Sequence, residues 1–356
     1  MDMNNMSDKK QMHGGDIYRN QVKLDFSVNM NPLGVPEAVK AALYEAVENC
    51  STYPDIEAEH LKKAVSEMLD VPEEYLLFGN GASELFMAIV HGIRPNKTVI
   101  PVPSFYGYEH AAEALGRDVR YYEMKPEHGF ALGEDFFEVL TEEVDLLFLA
   151  NPNNPTGNLI SQESMRELLR YCREKGIFVV LDECFIEFCD RGLSMLHEIE
   201  QFENLILVRA FTKIYSIPGV RLGYLVCGNR ALNERIKRQL PEWNLSGFAQ
   251  AAGCACASQT GFIESTKAYI KTEREFLKEG ICRLGVNVLS GEANYLLAFT
   301  EEDLYSRLLE KGILIRDCGN FKGLSKGFYR IAVKSRRENE ILLKAMGEID
   351  WKNQIR

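Results

Sequence analysis

Residues 145–185 read D-L-L-F-L-A-N-P-N-N-P-T-G-N-L-I-S-Q-E-S-M-R-E-L-L-R-Y-C-R-E-K-G-I-F-V-V-L-D-E-C-F. Continuous apolar runs at 145–150 and 177–181 flank a segment whose apolar residues recur at helical spacing, namely Met165, Leu168, Leu169 and Cys172. Apolar runs without alternation are typical of strands that are covered on both faces. The stretch therefore predicts two strands of a parallel sheet joined by a helix over 161–175, with its cap region at Ser161.

The same pattern continues on both sides of this unit. Further continuous apolar runs at 98–102, 205–209 and 222–227 predict an α/β domain with a mainly parallel sheet flanked by helices. From about residue 271 the pattern changes, because charged helical stretches alternate with single strands; the helices are expected at 273–284, 301–311 and 338–349, and the strands at 294–299, 313–316 and 329–333. This change predicts a smaller α+β C-terminal domain.

Three units follow from this organisation. Residues 1–45 form an N-terminal arm and a first helix, which begins at Pro36 and associates with the small domain and the active site. Residues 46–265 form the large domain, and residues 266–356 form the small C-terminal domain.

The composition excludes some classes of partner. A formal net charge of −11 over 356 residues argues against nucleic acid, because phosphate backbones require clustered Lys and Arg. No stretch approaches the roughly eighteen uninterrupted apolar residues of a membrane span. The nine cysteines are scattered without a CxxC pair, which favours a reducing cytoplasm over a zinc site or a disulfide framework. A small anionic substrate remains compatible, since it needs only a few local cations.

Two of the predicted strands end in polar residues that could serve a site. The strand at 145–150 is followed by Asn151-Pro152-Asn153-Asn154-Pro155-Thr156-Gly157, an irregular turn whose asparagines can present an amide to a ligand. The strand at 177–181 is followed by Asp182, which could bind a metal, act as a base or pair with a cationic nitrogen. A metal is the weakest of these roles, because no second ligand stands at metal spacing. Ligands bind at this edge of parallel sheets.

Lys213 follows the strand at 205–209 and brings an amine to the same edge, with Arg221 eight residues later. An amine in a desolvated pocket condenses with an aldehyde, and a carboxylate facing a pyridine nitrogen keeps that nitrogen protonated. Gly79-Asn80-Gly81-Ala82-Ser83-Glu84 is a candidate phosphate cradle, since two glycines precede a helix whose first N–H groups face an anion. The aromatic residues of 103–108 could stack on a flat ring.

In these motifs the chain resembles the fold-type-I pyridoxal-phosphate enzymes, the class I/II aminotransferase superfamily. The strings N-P-N-N-P-T-G, D-E-C-F, T-K and R-L-G-Y are similar to the family's landmarks and occur in the same order. The resemblance implies an α/β large domain that binds pyridoxal 5′-phosphate at residues 46–265 and a homodimer with shared active sites.

The resemblance also implies roles for individual residues. Lys213 is expected to form the Schiff base, Asp182 to pair with the pyridine nitrogen, Asn154 to contact the phenolic oxygen and Tyr108 to lie near the ring. The phosphate is expected to contact Gly81, Ala82, Ser83, Thr212 and Arg221, and Tyr53 to reach the phosphate in the other subunit. Where many relatives have a serine, three residues before the lysine, this chain has Ala210, which removes a hydroxyl donor worth about 1 kcal/mol.

Two subgroups compete for the substrate. The N-terminal H-G-G and D-F-S-V-N-M-N-P-L-G and the C-terminal I-L-I-R-D-C-G-N-F are similar to the L-threonine-O-3-phosphate decarboxylases of cobalamin biosynthesis. The loop Pro241-Glu242-Trp243-Asn244-Leu245-Ser246 departs from the decarboxylase pattern by an inserted residue. The second subgroup is the histidinol-phosphate aminotransferases.

The decarboxylase resemblance implies a set of substrate contacts. Arg330 would pair with the carboxylate of a small phosphorylated amino acid and Arg316 with its phosphate. The further contacts would come from His13, Gly14, Asn29 and Asn154. The implied reaction is the decarboxylation of L-threonine O-3-phosphate to 1-amino-2-propanol phosphate. An aminotransferase is the alternative, and a non-catalytic sensor on the same fold is a remote one.

Overall fold

The computed structural model describes residues 13–189 and 193–349. Within these residues the strands are β1 (Leu24–Asp25), β2 (Leu76–Gly79), β3 (Lys97–Val102), β4 (Asp118–Glu123), β5 (Leu146–Ala150), β6 (Phe178–Asp182), β7 (Leu205–Ala210), β8 (Gly223–Val226), β9 (Asn287–Val288), β10 (Tyr295–Phe299), β11 (Ile313–Leu314), β12 (Arg316–Asp317) and β13 (Phe328–Ala332).

The helices follow the same chain order. They are α1 (Glu37–Glu48), α2 (Glu59–Leu69), α3 (Ala82–Ile93), α4 (Tyr106–Ala114), α5 (Phe136–Val139), α6 (Gln162–Glu174), α7 (Phe211–Ile214), α8 (Arg230–Lys237), α9 (Gly247–Ala257), α10 (Thr260–Arg283), α11 (Leu304–Glu310) and α12 (Arg336–Gly347). None of the helices in the described ranges has the length and apolar character that a membrane crossing requires.

A seven-stranded sheet forms the centre of the large domain, in the order β2-β8-β7-β6-β5-β3-β4. The pairs from β4 to β7 are parallel, and β8 is antiparallel to both of its neighbours. Residues of β5, β6 and β7 are almost completely buried on both faces, which explains their continuous apolar sequence. The predicted α/β class and the mainly parallel sheet are confirmed. The run at 222–227 is also a strand, but its antiparallel direction was not predicted.

Strand register places the polar strand ends together. Ala150 pairs with Asp182, so β5 and β6 end at the same level, and Asp182 pairs with Val208, two residues before the end of β7. The antiparallel strand β8 begins beside the end of β7, because Gly223 pairs with Ala210. Gly79 at the end of β2 pairs with Gly223 in turn. Five strand ends therefore meet at one edge of the sheet.

The linking helix between β5 and β6 has the predicted start. Helix α6 begins at Gln162, and the Ser161 side chain accepts a hydrogen bond from the Ser164 N–H at 3.1 Å. Its buried residues are the four that the spacing indicated, Met165, Leu168, Leu169 and Cys172. Helix α1 begins one residue after Pro36, which stands at the N-cap position instead of inside the first turn.

The C-terminal part has a four-stranded antiparallel sheet in the order β12-β13-β10-β9. The single strand predicted at 313–316 is wrong, because the chain changes sheets within it. Residues of β11 pair in parallel with β1, whereas β12 pairs with β13. The 24-residue helix α10 begins at Thr260, well before the predicted 273, and crosses the proposed domain boundary at 265. The three-unit division therefore stays a prediction.

Candidate active site

A cavity of about 210 Å³ lies at the edge where the five strand ends meet. Twelve of the fifteen predicted site residues line it: His13, Gly14, Asn29, Ala82, Ser83, Asn154, Asp182, Thr212, Lys213, Arg221, Arg316 and Arg330. They come from the N-terminal segment, the large sheet and the small sheet. The topology therefore brings distant parts of the sequence into one site.

Lys213 lies on α7, a single helical turn that begins directly after β7. Burial lowers the pKa of its amine to about 8, and the nearby guanidinium groups of Arg330 and Arg221 act in the same direction. A lysine with a lowered pKa has a larger neutral fraction, and the neutral amine is the nucleophile. The position of α7 therefore gives Lys213 the reactivity that condensation with an aldehyde requires.

Asp182 is the last residue of β6 and is buried. Its carboxylate accepts hydrogen bonds from the Tyr108 hydroxyl at 2.5 Å and from the Cys184 N–H at 2.9 Å. Burial raises the pKa of the Asp182 carboxyl, although these hydrogen bonds act in the opposite direction. Among the described residues that line the cavity, Asp182 has the single carboxylate. A cationic ring nitrogen beside it would favour the ionised form.

Asn154 and Arg330 contact each other across the cavity. The Arg330 guanidinium donates to Asn154 Oδ1 at 2.5 Å and to the Ser27 carbonyl at 2.8 Å. Its remaining Nε–H is buried and has no hydrogen-bond partner. Burial lowers the pKa of Arg330, so the charge is held at a cost in free energy. An anion in the cavity would offset that cost.

The phosphate cradle predicted at 79–84 forms the N-terminal end of α3. Gly81 is the N-cap residue with a φ of 79°, and a Cβ atom built there would lie 2.5 Å from Arg221 Nη2. A side chain at this position would therefore clash with the guanidinium. Arg221 donates to the Pro218 carbonyl at 3.1 Å. The free N–H groups of α3 and the Arg221 charge are complementary to a phosphate.

The N-terminal segment reaches the site because β1 pairs with β11 of the small domain. The Gly15 N–H donates to Ser27 Oγ at 2.7 Å, which holds the preceding His13 and Gly14 over the cavity. Burial lowers the pKa of His13, and the charges of Arg316, Arg330 and His110 add to the effect. Asn29 is buried and its side-chain oxygen has no hydrogen-bond partner. The N–H groups of His13 and of the Asn29 amide can donate to an anionic ligand, whereas the Asn29 oxygen requires a donor.

Arg316 enters from β12 beside Arg330, with which it pairs in register on the neighbouring strand β13. Its guanidinium donates to Asn320 Oδ1 at 2.8 Å and to the Asp317 carbonyl, and it lies 5.0 Å over the ring of Phe321. Burial and the nearby Arg330 lower the pKa of Arg316. The two arginines thus converge on a cavity with a single carboxylate.

Three predicted residues lie outside the cavity lining. Gly81 lies next to the Arg221 guanidinium, which occupies the space that a Cβ atom at Gly81 would need. Tyr108 is stacked on Phe148, with ring centroids 5.1 Å apart, and faces Asp182 with its hydroxyl. Tyr53 is 81% exposed, and its ring packs on Trp243 at 5.2 Å. The chain therefore does not bring Tyr53 to its own cavity.

The structure adds residues that the sequence did not assign to the site. Phe321 and Asn320 orient Arg316, and Ser27 binds Arg330 through its carbonyl group. Cys184 and Phe185 line the cavity beside Asp182. The only available signal was proximity, since these residues lie within a few positions of an assigned one.

The arrangement fits pyridoxal 5′-phosphate. Lys213 matches its aldehyde, Asp182 its pyridine nitrogen, Asn154 its phenolic oxygen, and the end of α3 with Thr212 and Arg221 its phosphate. Gly81 is the strongest structural sign, because its missing Cβ leaves the room that Arg221 occupies. The residues that would hold the cofactor are therefore present and close together.

Comparisons with known proteins agree with the fold. Residues 21–346 match the family described as aminotransferase class I and II. The chain is 35% identical to the threonine-phosphate decarboxylase of Salmonella typhimurium, over 92% of this chain and 91% of that protein. The crystal structure of the histidinol-phosphate aminotransferase from Clostridium acetobutylicum matches with a TM-score of 0.85 and 33% identity, over 91% of this chain and 98% of that one.

A second solved structure gives a similar match. The L-threonine-O-3-phosphate decarboxylase from Porphyromonas gingivalis has a TM-score of 0.81 and 25% identity, over 91% of this chain and 98% of that one. Both reactions therefore occur among proteins that share this architecture. The chain belongs to the aminotransferase class I and II family and is a pyridoxal-phosphate-dependent enzyme.

Proposed function

We propose that the enzyme decarboxylates L-threonine O-3-phosphate to 1-amino-2-propanol phosphate, the reaction of the cobalamin-pathway decarboxylases that it resembles. The observation that carries the proposal is the pair of arginines. Arg330 and Arg316 are register partners on neighbouring strands and line the same cavity as Lys213, and Asp182 is the one carboxylate among the described lining residues. L-Threonine O-3-phosphate has a carboxylate at one end and a phosphate at the other, so each arginine would pair with one anion.

The size of the site supports a small substrate. The cavity of about 210 Å³ must hold both the cofactor and the substrate. Aromatic side chains narrow it, since Phe86, Phe105, Tyr106 and Phe321 are among its lining residues. Threonine phosphate requires less room than histidinol phosphate, which has an imidazole ring and lacks a carboxylate for Arg330.

When bound, pyridoxal phosphate supplies a ring that accepts the negative charge developing at the substrate Cα. Lys213 would hold the cofactor through its amine, and its Nζ would be the group that delivers a proton to the substrate Cα once CO2 has left. Asp182 keeps the cofactor nitrogen protonated. Arg330 orients the substrate carboxylate, and a placement error of about an ångström there changes which bond breaks.

Arg316, His13, Gly14 and Asn29 would hold the opposite end of the substrate. Arg316 contributes a fixed charge, because its guanidinium is already oriented by Asn320 and Phe321. Burial and the neighbouring cationic groups lower the pKa of His13, and its imidazole would donate an N–H to the phosphate in either protonation state.

An aminotransferase acting on histidinol phosphate is the second candidate. The 33% identity and TM-score of 0.85 to the Clostridium acetobutylicum enzyme favour it. The two candidates share the groups that bind the cofactor and differ in the bond that breaks at Cα.

The proposal includes a homodimer with shared sites. Tyr53, Ile56 and Trp243 form an exposed apolar patch, with Tyr53 81% accessible. Burying this patch against a second copy would remove apolar area from water. Tyr53 would then reach the cofactor phosphate of the partner subunit.

One pair of incubations separates the candidate reactions. The cofactor-saturated enzyme is incubated with L-threonine O-3-phosphate, and released CO2 and 1-amino-2-propanol phosphate are measured. A parallel incubation contains histidinol phosphate and 2-oxoglutarate, and glutamate is measured. CO2 release without amino-group exchange is the expected result. Rapid glutamate formation without CO2 release would contradict the proposal and identify the aminotransferase.

A further inference from the structure

Residues 318–327 connect β12 to β13, and this segment leaves the small sheet to lie against the large domain. Phe321 in this segment lines the active-site cavity. Gly323 has a φ of 80°, and a Cβ atom built there would lie 3.2 Å from the Pro103 nitrogen at the end of β3. The close approach and the positive φ both require glycine. The segment is therefore fitted to the surface of the large domain.

Lys322 fixes this segment by a second contact. Its Nζ lies 2.8 Å from Glu109 Oε1 on α4 and 3.8 Å from the centroid of the Tyr121 ring on β4. The Glu109 side chain is 16% exposed and that of Lys322 is 47% exposed, so solvent reaches the pair mainly from the lysine side. The ammonium group thus has an ionic and an aromatic partner, both from the large domain.

The neighbouring residues of the same segment orient Arg316. Asn320 accepts a hydrogen bond from its guanidinium at 2.8 Å, and Phe321 lies beneath it at 5.0 Å. A small cavity of about 120 Å³ separates this segment from α4, and Glu109, Arg316 and Lys322 all line it. Movement of the segment away from α4 would therefore shift Asn320 and Phe321, two of the groups that contact Arg316.

We infer that the Lys322–Glu109 ion pair is a positioning device that holds Arg316 in place for the phosphate group of the substrate. The inference rests on the proposed role of Arg316 as the phosphate-binding residue. Neither Lys322 nor Glu109 needs to touch the substrate. The pair locks residues 318–327 onto α4, and the locked segment presents the guanidinium in one orientation. Affinity for a phosphate group then depends on a contact outside the cavity.

For Glu109, a purely electrostatic effect and a positioning effect predict opposite changes in anion affinity, which makes the inference testable. Replacing Glu109 by Gln removes a negative charge close to Arg316. If charge alone mattered, an anion would bind more tightly to that variant. If the ion pair positions Arg316, the same variant loses the lock and binds the anion more weakly.

The test titrates inorganic phosphate into the cofactor-saturated enzyme by calorimetry, so it does not depend on which phosphorylated compound is the substrate. Glu109→Gln and Lys322→Met are each expected to weaken phosphate binding about three- to tenfold, and the double variant no further. Lys322→Arg should recover most of the affinity. Lys326→Met, in the same segment, is the matched control for loss of a positive charge and should bind like wild type.

Catalysis provides the second measurement. With a phosphorylated substrate that the wild type accepts, both variants should raise KM and leave kcat within about twofold, because Lys213 and Asp182 are untouched. Tighter phosphate binding by Glu109→Gln, or additive losses in the double variant, would overturn the inference. Failure of threonine phosphate to react would contradict the proposed function and leave the phosphate titration as a separate result.

Discussion

The surroundings of Lys213 set its reactivity, because they lower the pKa of its amine. The amine is partly buried between Arg330 and Arg221, and its pKa is lowered to about 8. A lysine amine is charged below its pKa and neutral above it. Near pH 8, half of the Lys213 amines are therefore neutral and nucleophilic. An unperturbed lysine would reach that point only at about pH 10.4.

This lowered pKa predicts how the apoenzyme takes up its cofactor. The rate at which the apoenzyme forms the imine with pyridoxal phosphate, followed by the visible absorption of that imine, should rise with pH with a midpoint near pH 8 and approach a plateau at higher pH. Lys213→Arg should show no imine band at any pH, since its guanidinium cannot condense with the aldehyde. A rate that still increases steeply at about pH 10 would show an unperturbed lysine.

Tyr108 influences the pKa of the Asp182 carboxyl through a hydrogen bond. Its hydroxyl donates to Asp182 Oδ2 at 2.5 Å, a hydrogen bond that lowers the carboxyl pKa against the effect of burial. Tyr108→Phe should therefore raise that pKa, and the loss of activity on acidification should begin at a higher pH. At neutral pH, kcat should fall about tenfold, the effect of losing one charge-assisted hydrogen bond.

The control for this prediction is Tyr122→Phe. Its hydroxyl donates to Asp135 at 2.6 Å, away from the cavity, so its removal should leave the pH profile unchanged. If Tyr108→Phe and Tyr122→Phe had the same profile, the hydrogen bond to Asp182 would not tune the carboxylate.

At the scale of elements, β6 and β7 are joined by a buried ion pair directly behind the site. Arg209 Nη2 lies 2.7 Å from Glu183 Oε2, and the two side chains are 8% and 0% exposed. Glu183 also accepts hydrogen bonds from Ser194 Oγ and the Met195 N–H, both at 2.8 Å. Each charge is satisfied, so removing one partner leaves the other buried and uncompensated.

Arg209→Met should consequently lower the free energy of unfolding by about 3–5 kcal/mol, measured by denaturant titration of the cofactor-saturated protein. Adding Glu183→Gln should restore part of the loss, because the uncompensated charge is gone. Arg230→Met breaks the exposed pair with Glu74 and should change stability by less than about 1 kcal/mol. A double variant less stable than Arg209→Met would show that the charge is not the cause.

The sequence predicts where the strands of the large sheet lie, but not their direction or their pairing. Strands β5, β6 and β7 are continuous apolar runs because both of their faces are covered. Polar residues follow these runs where the sheet ends. Asp182 and Lys213 could therefore be predicted from the sequence. Direction and pairing are not encoded in such runs. The antiparallel course of β8 and the exchange of sheets at Ile315 depend on partners far along the chain.

At the scale of the whole molecule, Tyr53 is the predicted site residue that does not lie at the cavity of its own chain. The other predicted residues lie in or beside the cavity, whereas Tyr53 is exposed and packed only on Trp243 within the described contacts of its ring. The proposed dimer accounts for this position, because a two-fold interface presents the same residue of each subunit to the other.

Mixed dimers test that arrangement directly. Lys213→Ala and Tyr53→Ala are each expected to have low activity at limiting cofactor, the first because it lacks the amine and the second because it binds the cofactor phosphate weakly. If Tyr53 serves the partner's site, a mixed dimer has one site with both changes and one site with neither. Random mixing of equal amounts should then restore about a quarter of the wild-type activity. If Tyr53 instead acted within its own chain, every site in the mixture would contain at least one change, and mixing would restore nothing.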